Sequence, residues 1–288
     1  MKIERTSGPV LTVRFENVSS GWERWILLRS DAHHDHIRCQ RDAEKRHLEE
    51  MVKRDGLWMD FGDLFDAMQG KFDPRRNYSD IRPEDVATNY YDLLIEHAAD
   101  FYGPYADRCL MLALGNHETA TERNCGLNLT SNLALRLNTE KLSNNGHRIE
   151  VGGYGGWIRF MFTIHKTKNQ QIRIKYFHGA GGRAPVTKGV IQTNRQAVYL
   201  PDANIVVNGH NHQSYILPIA RERLNTRGFL SRDTQWHGRI PGYMDDYGDG
   251  TTGWAIEKGF EPTPVGALWL RLWCRKDAVE FKLIPEIE

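Results

Sequence analysis

Short apolar runs that stop abruptly in polar clusters recur along the chain. Trp25 to Arg29 ends in Ser30-Asp31, Gly56 to Phe61 in Gly62-Asp63, and Cys109 to Leu114 in Gly115-Asn116-His117-Glu118. Ile172 to Phe177 ends in His178-Gly179, and Asn204 to Val207 in Asn208-Gly209-His210-Asn211-His212. Runs of this length, rich in β-branched and aromatic residues and closed by glycine, predict strands. Helical patterns lie between the early ones. Gln40 to Arg54 places Leu48, Met51 and Val52 on one face and has Gly56 just past its end. Pro83 to Phe101 begins with a proline suited to a first helical turn and carries Val86, Tyr90, Leu93, Leu94, His97 and Phe101 at helical period before Gly103-Pro104. Alternating strands and helices predict an α/β layered fold.

The second half reads differently. Ile149 to Phe177 predicts antiparallel strands broken by Gly152-Gly153 and Gly155-Gly156, and Ala267 to Ile284 predicts two strands around Arg275-Lys276-Asp277. From 221 to 264 the pattern is irregular and rich in Gly, Arg and aromatic residues, which predicts an elaborated cap or loop within one domain spanning 1–288.

Composition narrows the classes. The 288 residues are 40% hydrophobic and 26% charged, as in an ordinary globular protein. With 38 Lys plus Arg against 37 Asp plus Glu, no global basic field draws in nucleic acid, although a local site could still hold a few nucleotides. The amino-terminal twenty residues show no signal-peptide core, and no apolar run approaches the roughly 20 residues a membrane-spanning helix needs. Cys39, Cys109, Cys125 and Cys274 are scattered without CxxC spacing. The expectation is a cytoplasmic protein with reduced thiols and no membrane partner.

The polar clusters hold the chemistry. Five predicted strand ends carry Asp31 and His33, Asp63, Asn116 and His117, His178, and His210 and His212. Each alone is compatible with a surface turn, but in open α/β sheets ligand groups collect where strands end. In this order SDAH, GDLFD, GNHE, FHG and GHNH resemble the signature of the calcineurin-like metallophosphoesterases: D-x-H, G-D-x-x-D, G-N-H-[ED], H and G-H-x-H. The resemblance runs from Asp31 to His212, about two thirds of the chain.

That resemblance implies a four-layer α-β-β-α sandwich with two divalent metal ions above the strand ends. It implies that Asp31, His33 and His212 join Asp63 at one metal, and that Asn116, His178 and His210 join Asp63 at the other. Two cations roughly 3.5 to 4 Å apart need a bridging carboxylate, the role implied for Asp63. Nitrogen and oxygen donors without thiolates suit Mn, Fe, Zn or Ni. Paired cations would neutralise phosphoester oxygens and bring the pKa of a water toward about 7, which makes a hydrolase of phosphoric esters the expected function. The resemblance also implies that His117 is catalytic, stabilising phosphoryl charge or protonating the leaving group, and that Asp66 orients it.

One position departs from the pattern. Where the protein-phosphatase branch has an arginine that clamps a monoester, this chain has Ala67. A diester needs that clamp less, so the expected activity is a phosphodiesterase or nuclease acting on a nucleotide or nucleic acid. A phosphomonoesterase of the same fold, or a protein-binding scaffold without turnover, are the alternatives. Around the site, His34 and Arg183 are candidate substrate contacts. Arg183 follows the glycine-rich Gly179-Ala180-Gly181-Gly182, whose backbone could cradle a phosphate together with Lys188. Five arginines between Arg221 and Pro241, with Phe229, Trp236 and His237, could stack on bases or form a solvated loop.

Overall fold

The computed structural model describes residues 1–67, 74, 78–141, 147–183, 186–251 and 254–288. Strands β1 (Lys2–Ser7), β2 (Val10–Val18) and β3 (Glu23–Arg29) lead into α1 (Arg41–Lys53) and β4 (Leu57–Asp60). Next come α2 (Tyr90–Tyr102), β5 (Cys109–Leu112), α3 (Asn116–Cys125) and α4 (Leu129–Lys141). They are followed by β6 (Glu150–Val151), β7 (Gly155–Ile164), β8 (Lys168–Phe177), α5 (Val190–Tyr199) and β9 (Ile205–Asn208). The chain continues through β10 (Tyr215–Leu224), β11 (Leu230–Arg239), α6 (Trp254–Glu257), β12 (Gly266–Arg275) and β13 (Ala278–Ile287).

These strands form two sheets. The seven-stranded sheet runs β1-β2-β7-β8-β9-β11-β10, and the six-stranded sheet runs β13-β12-β3-β4-β5-β6. In β7 buried and half-buried residues alternate strictly, with Ile158, Phe160, Phe162 and Ile164 pointing inward. They pack against Ile26, Leu28, Met59, Leu268 and Leu270 of the other sheet, which joins the two faces in one core. Each such buried side chain contributes roughly 1.5–3 kcal/mol. The parallel strands β3, β4 and β5 are buried on both faces, as a sheet covered on each side requires. Their outward residues Leu27, Trp58, Cys109 and Leu112 meet Leu48 and Met51 of α1, Leu94 and Ala98 of α2, and Leu133 and Leu137 of α4. On the far side Leu200, at the end of α5, packs with Ala203, Val206 and Trp157. The layers therefore run helix, sheet, sheet, helix. No helix among the described residues is long and apolar enough to cross a membrane.

Several sequence expectations are corrected. The stretch 221–264 is not one irregular loop, because its first half completes an antiparallel hairpin of two ten-residue strands, Tyr215 opposite Arg239 through Leu224 opposite Leu230. The outer end of the hairpin is solvent-exposed, so no apolar alternation marks it; a cross-strand pairing of Arg221 and Arg223 with Asp233 stands in its place. Residues 252 and 253 of that stretch lie outside the described residues. The segment 83–101 is not one helix. Pro83–Asp85 forms a single tight turn, Val86 leaves helical geometry at ψ 88°, and α2 begins at Tyr90. The break lets the buried Asp85 carboxylate reach His97 Nδ1 at 2.6 Å. Finally, β6 does not pair with β7 but runs parallel to β5 in the other sheet.

Candidate metal centre

All five polar clusters sit at carboxyl ends of strands, three on the six-stranded sheet and two on the seven-stranded sheet. Asp31 and His33 follow β3, Asp63 follows β4, and Asn116 and His117 open α3 just after β5. His178 follows β8, and His210 and His212 follow β9. Backbone bonds tie these loops together: Asp31 N–H donates to Gly62 O at 2.9 Å, His33 N–H to Asp63 O at 3.0 Å, and Gly209 N–H to His178 O at 2.7 Å. The sheets are joined at the site itself, where His210 N–H donates to the Asp31 carboxylate at 2.8 Å.

The backbone at the site is unusual. Asp31, His33, Asp63, His210 and His212 have φ of 53°, 45°, 52°, 77° and 54°. A left-handed residue other than glycine costs roughly 1–2 kcal/mol, and it persists only where neighbours over-determine it. Five such residues among seven candidate donors mark a place where geometry was selected against local preference. Two glycines make the close approach possible. A Cβ on Gly115 would lie 2.1 Å from Asp63 Oδ1, and one on Gly209 would lie 2.2 Å from Asp31 Oδ2.

The donors converge. Ligand-type atoms of Asp31, His33 and His212 lie within 4.8 Å of one another, and so do those of Asp63, His178 and His210. His178 Nε2 is 3.1 Å from Asp63 Oδ2 and 3.1 Å from Asn116 Oδ1, which brings Asn116 into the second group. It is also 3.9 Å from Asp31 Oδ1, which joins the two groups. A third grouping of His33, Asp63 and His117 shows Asp63 facing both sides.

The donor set fits divalent metal. His33 Nε2 and His210 Nδ1 are buried and have no hydrogen-bond partner. Buried polar atoms without partners are costly, and one aspartate beside two imidazoles, the make-up of each grouping, suits a borderline cation. On His178 and His33 the other ring nitrogen is held, as metal-binding imidazoles require. His178 Nδ1–H donates to Phe61 O at 3.0 Å, and His33 Nδ1 meets Asp66 Oδ1 at 3.0 Å. Burial opposes a charge on His33, but Asp66, with Asp63 and Asp31, outweighs it and raises the group to about 9. Burial likewise opposes a charge on His178, and Asp63 and Asp31 raise it to about 10. The centre thus has a surplus of negative charge that calls for cations.

His117 and Asp66 are placed differently from the expectation. His117 Nδ1–H donates to the backbone carbonyl of Asp66 at 2.6 Å, and the Asp66 carboxylate, 3.5 Å away, is given to His33 instead. His117 Nε2 is left on the site side, 3.8 Å from Asp63 Oδ2. Ala67 is fully buried at φ 49°, with its N–H donating to Asp35 Oδ2 at 2.8 Å.

One proposed substrate contact is corrected. His34 is 2% exposed and turned away from the cluster: Nδ1 meets Glu44 Oε2 at 3.1 Å and the ring packs on Phe101 and Tyr102. Glu44 in turn pairs with the fully buried Arg29 at the end of β3, so His34 belongs to the support beneath the ligand loop. Arg183 is paired with Asp246, and its guanidinium faces the Phe260 ring. Lys188 is paired with Glu261 at 3.1 Å.

Three supporting carboxylates were not assigned from sequence. Glu118 accepts from the N–H groups of Asp63, Phe65 and Gly115 at 3.0, 3.0 and 2.8 Å, and so holds two ligand loops in register. Burial and the nearby Asp63 raise it to about 7. Asp35 accepts from Asp66 N–H at 2.6 Å and from the Tyr90 hydroxyl at 3.1 Å. Asp246 Oδ2 lies 3.4 Å from His212 Nδ1. Glu118 lies inside a recognisable block, whereas nothing in the pattern around Asp246 pointed to it.

No protein-family model matches the chain, and no curated protein does. Among solved structures it is similar to GAP50, the anchor in the inner membrane complex of Plasmodium, at 12% identity and a TM-score of 0.43, over 91% of this chain and 84% of that one. It is similar to a predicted phosphoesterase of Streptococcus pneumoniae at 11% identity and a TM-score of 0.32, over 93% and 100%. It is also similar to vacuolar protein sorting 29 of Cryptosporidium parvum at 9% identity and a TM-score of 0.37, over 92% and 99%.

Proposed function

We propose that the chain is a dinuclear metal-dependent phosphoester hydrolase of the calcineurin-like class, acting on a phosphodiester in a nucleotide or nucleic acid. The observation that carries the reading is the convergence of seven nitrogen and oxygen donors from five strand ends, with buried imidazole nitrogens left unpartnered among them. Asp31, His33 and His212 would hold one divalent ion, Asn116, His178 and His210 the other, and Asp63 both. Bound there, the pair supplies neutralisation of the phosphoryl oxygens and a nucleophilic water near neutral pH.

The chain's own residues do the rest. His117 is fixed through Nδ1 to the Asp66 carbonyl, so Nε2 is the nitrogen presented to the site. From there it would donate a hydrogen bond to a phosphoryl oxygen or a proton to the departing alkoxide. Ala67, buried where an arginine clamp would stand, supports a diester over a monoester, since no guanidinium is supplied there for the extra negative charge.

The test is hydrolysis of bis-p-nitrophenyl phosphate against p-nitrophenyl phosphate with Mn, Zn, Ni and Mg. Diester turnover above monoester turnover is expected, and His117→Ala should lower kcat about 10²- to 10⁴-fold with metal content intact. Faster monoester turnover would make the protein a phosphatase, and absence of both would make it a scaffold.

A further inference from the structure

Cations line the outward face of the seven-stranded sheet. Ile158 and Phe160 of β7 and Ile172, Ile174 and Tyr176 of β8 point into the core, so Trp157, Arg159, Arg173, Lys175 and Phe177 point the other way. Helices α1, α2 and α4 pack on the six-stranded sheet, and α5 meets this face at Trp157 through Leu200. The outward residues of β7 and β8 therefore stay half-buried or exposed.

The register sets like charges against each other. Arg159 stands directly opposite Arg173, and Trp157 directly opposite Lys175. Two cations facing each other across an antiparallel pair are destabilising, where an opposite-charge pair would have stabilised it. Arg159 has no carboxylate partner among the described residues, and its Nε is buried without a hydrogen bond. Arg173 Nε is in the same state. The ion pair of Arg173 with Asp202, at 3.6 Å, involves a carboxylate side chain that is 76% exposed, and such a pair contributes little. Lys175 Nζ lies 5.6 Å from the Trp157 ring. The next cation on this face, Arg14, is taken by Glu4 at 2.7 Å.

The row begins beside the candidate metal centre. Lys175 precedes the candidate ligand His178 by three residues, about 10 Å along the strand. Aromatic rings fill the interval. Tyr154 meets His178 edge-on at 5.3 Å and Phe177 at 5.5 Å, and Trp157 follows on the neighbouring strand. Rings that stack on bases, beside cations that hold phosphates, are what a single strand of nucleic acid requires. An acidic peptide would use the cations and leave the rings idle.

We propose that Phe177, Trp157, Lys175, Arg159 and Arg173 form a face that binds a single strand of nucleic acid leading away from the scissile phosphate. Binding to this face needs no metal. The assignment of the bound strand as substrate rests on the phosphoester reading, and it narrows the substrate class to single-stranded oligonucleotides.

Two measurements test this. In EDTA-treated protein, the anisotropy of a labelled oligothymidylate should rise on binding, and polyglutamate of matched charge should bind about tenfold more weakly or less. Three cations on phosphates give a slope of log K against log salt of about −2, and the double variant Arg159→Gln with Arg173→Gln should cut it to about −0.7. Affinity at low salt should fall about tenfold in that variant. In metal-loaded protein, the ratio of KM for oligothymidylate to KM for bis-p-nitrophenyl phosphate should rise about tenfold in the same variant. No binding by the metal-free parent, a slope near zero, or equal binding of polyglutamate overturns the face as a nucleic-acid site. A slope unchanged in the double variant puts the strand elsewhere and overturns it as well. Binding as expected with an unchanged KM ratio overturns the substrate assignment alone. The parent's binding and slope need no variant, so they stand even where the double variant fails to fold. Failure of the metal centre is read separately, because the anisotropy is measured without metal.

Discussion

The carboxylate of Asp66 stands 3.0 Å from Nδ1 of His33. It therefore orients a candidate metal ligand, and the candidate acid His117 takes only the carbonyl of the same residue. The distinction is measurable. Asp66→Asn should weaken metal affinity about 10- to 100-fold, with kcat at saturating metal changed far less, because the carbonyl that holds His117 survives. Titration of metal into stripped protein, together with kcat at saturation, separates the cases. A large fall in kcat with unchanged metal affinity would return the carboxylate to His117.

Gly115 is needed for its missing side chain. Its φ of −109° suits any residue, but a Cβ would stand 2.1 Å from Asp63 Oδ1 and 2.4 Å from Asp63 N. Gly115→Ala should push Asp63 out of place and lower metal content at a fixed metal concentration about tenfold or more. Gly153→Ala, whose Cβ meets only Gly155 O at an ordinary 3.6 Å, should bind metal as the parent does. Elemental analysis after gel filtration checks both, and equal metal in the two variants would contradict the steric account.

The two glycines show what was legible in the sequence. Strand runs ending in Gly-Asp, Gly-Asn-His and Gly-His marked both the strand ends and the donors, because close-packed loops need glycine beside the polar residue. The alternation of strands and helices predicted α/β layering, and the four-layer order was an implication of the family resemblance. The hairpin from Tyr215 to Arg239 was not legible, because arginines occupy the half-buried face of its outer half and no apolar period records it. Asp246 and Arg239 were also invisible: their partners, His212 and Gly209, are distant in sequence and are met only through tertiary packing. His34 misled for the opposite reason. It sits among site residues in sequence, yet its ring turns into the helix layer.

Acid sensitivity should come partly from β11. His237 is 1% exposed; burial, then Arg221 and Arg239, hold it down at about 4, against 6.5 as the ordinary value. A histidine depressed in the folded state stabilises fully above pH 6.5, and that stability is lost as pH falls through 4. The loss by pH 4 is about 3 kcal/mol. Urea unfolding between pH 7 and pH 4 should show a shallower decline in His237→Gln than in the parent. Parallel slopes would remove His237 from the account.

The central claim is that two cations share Asp63 at the junction of the sheets. The most direct measurement is anomalous scattering from crystals grown with manganese. Two peaks are predicted per chain, one among Asp31, His33 and His212 and one among Asn116, His178 and His210, each within bonding distance of Asp63. Crystals that diffract well and show no manganese at either cluster, or manganese only elsewhere, would contradict it.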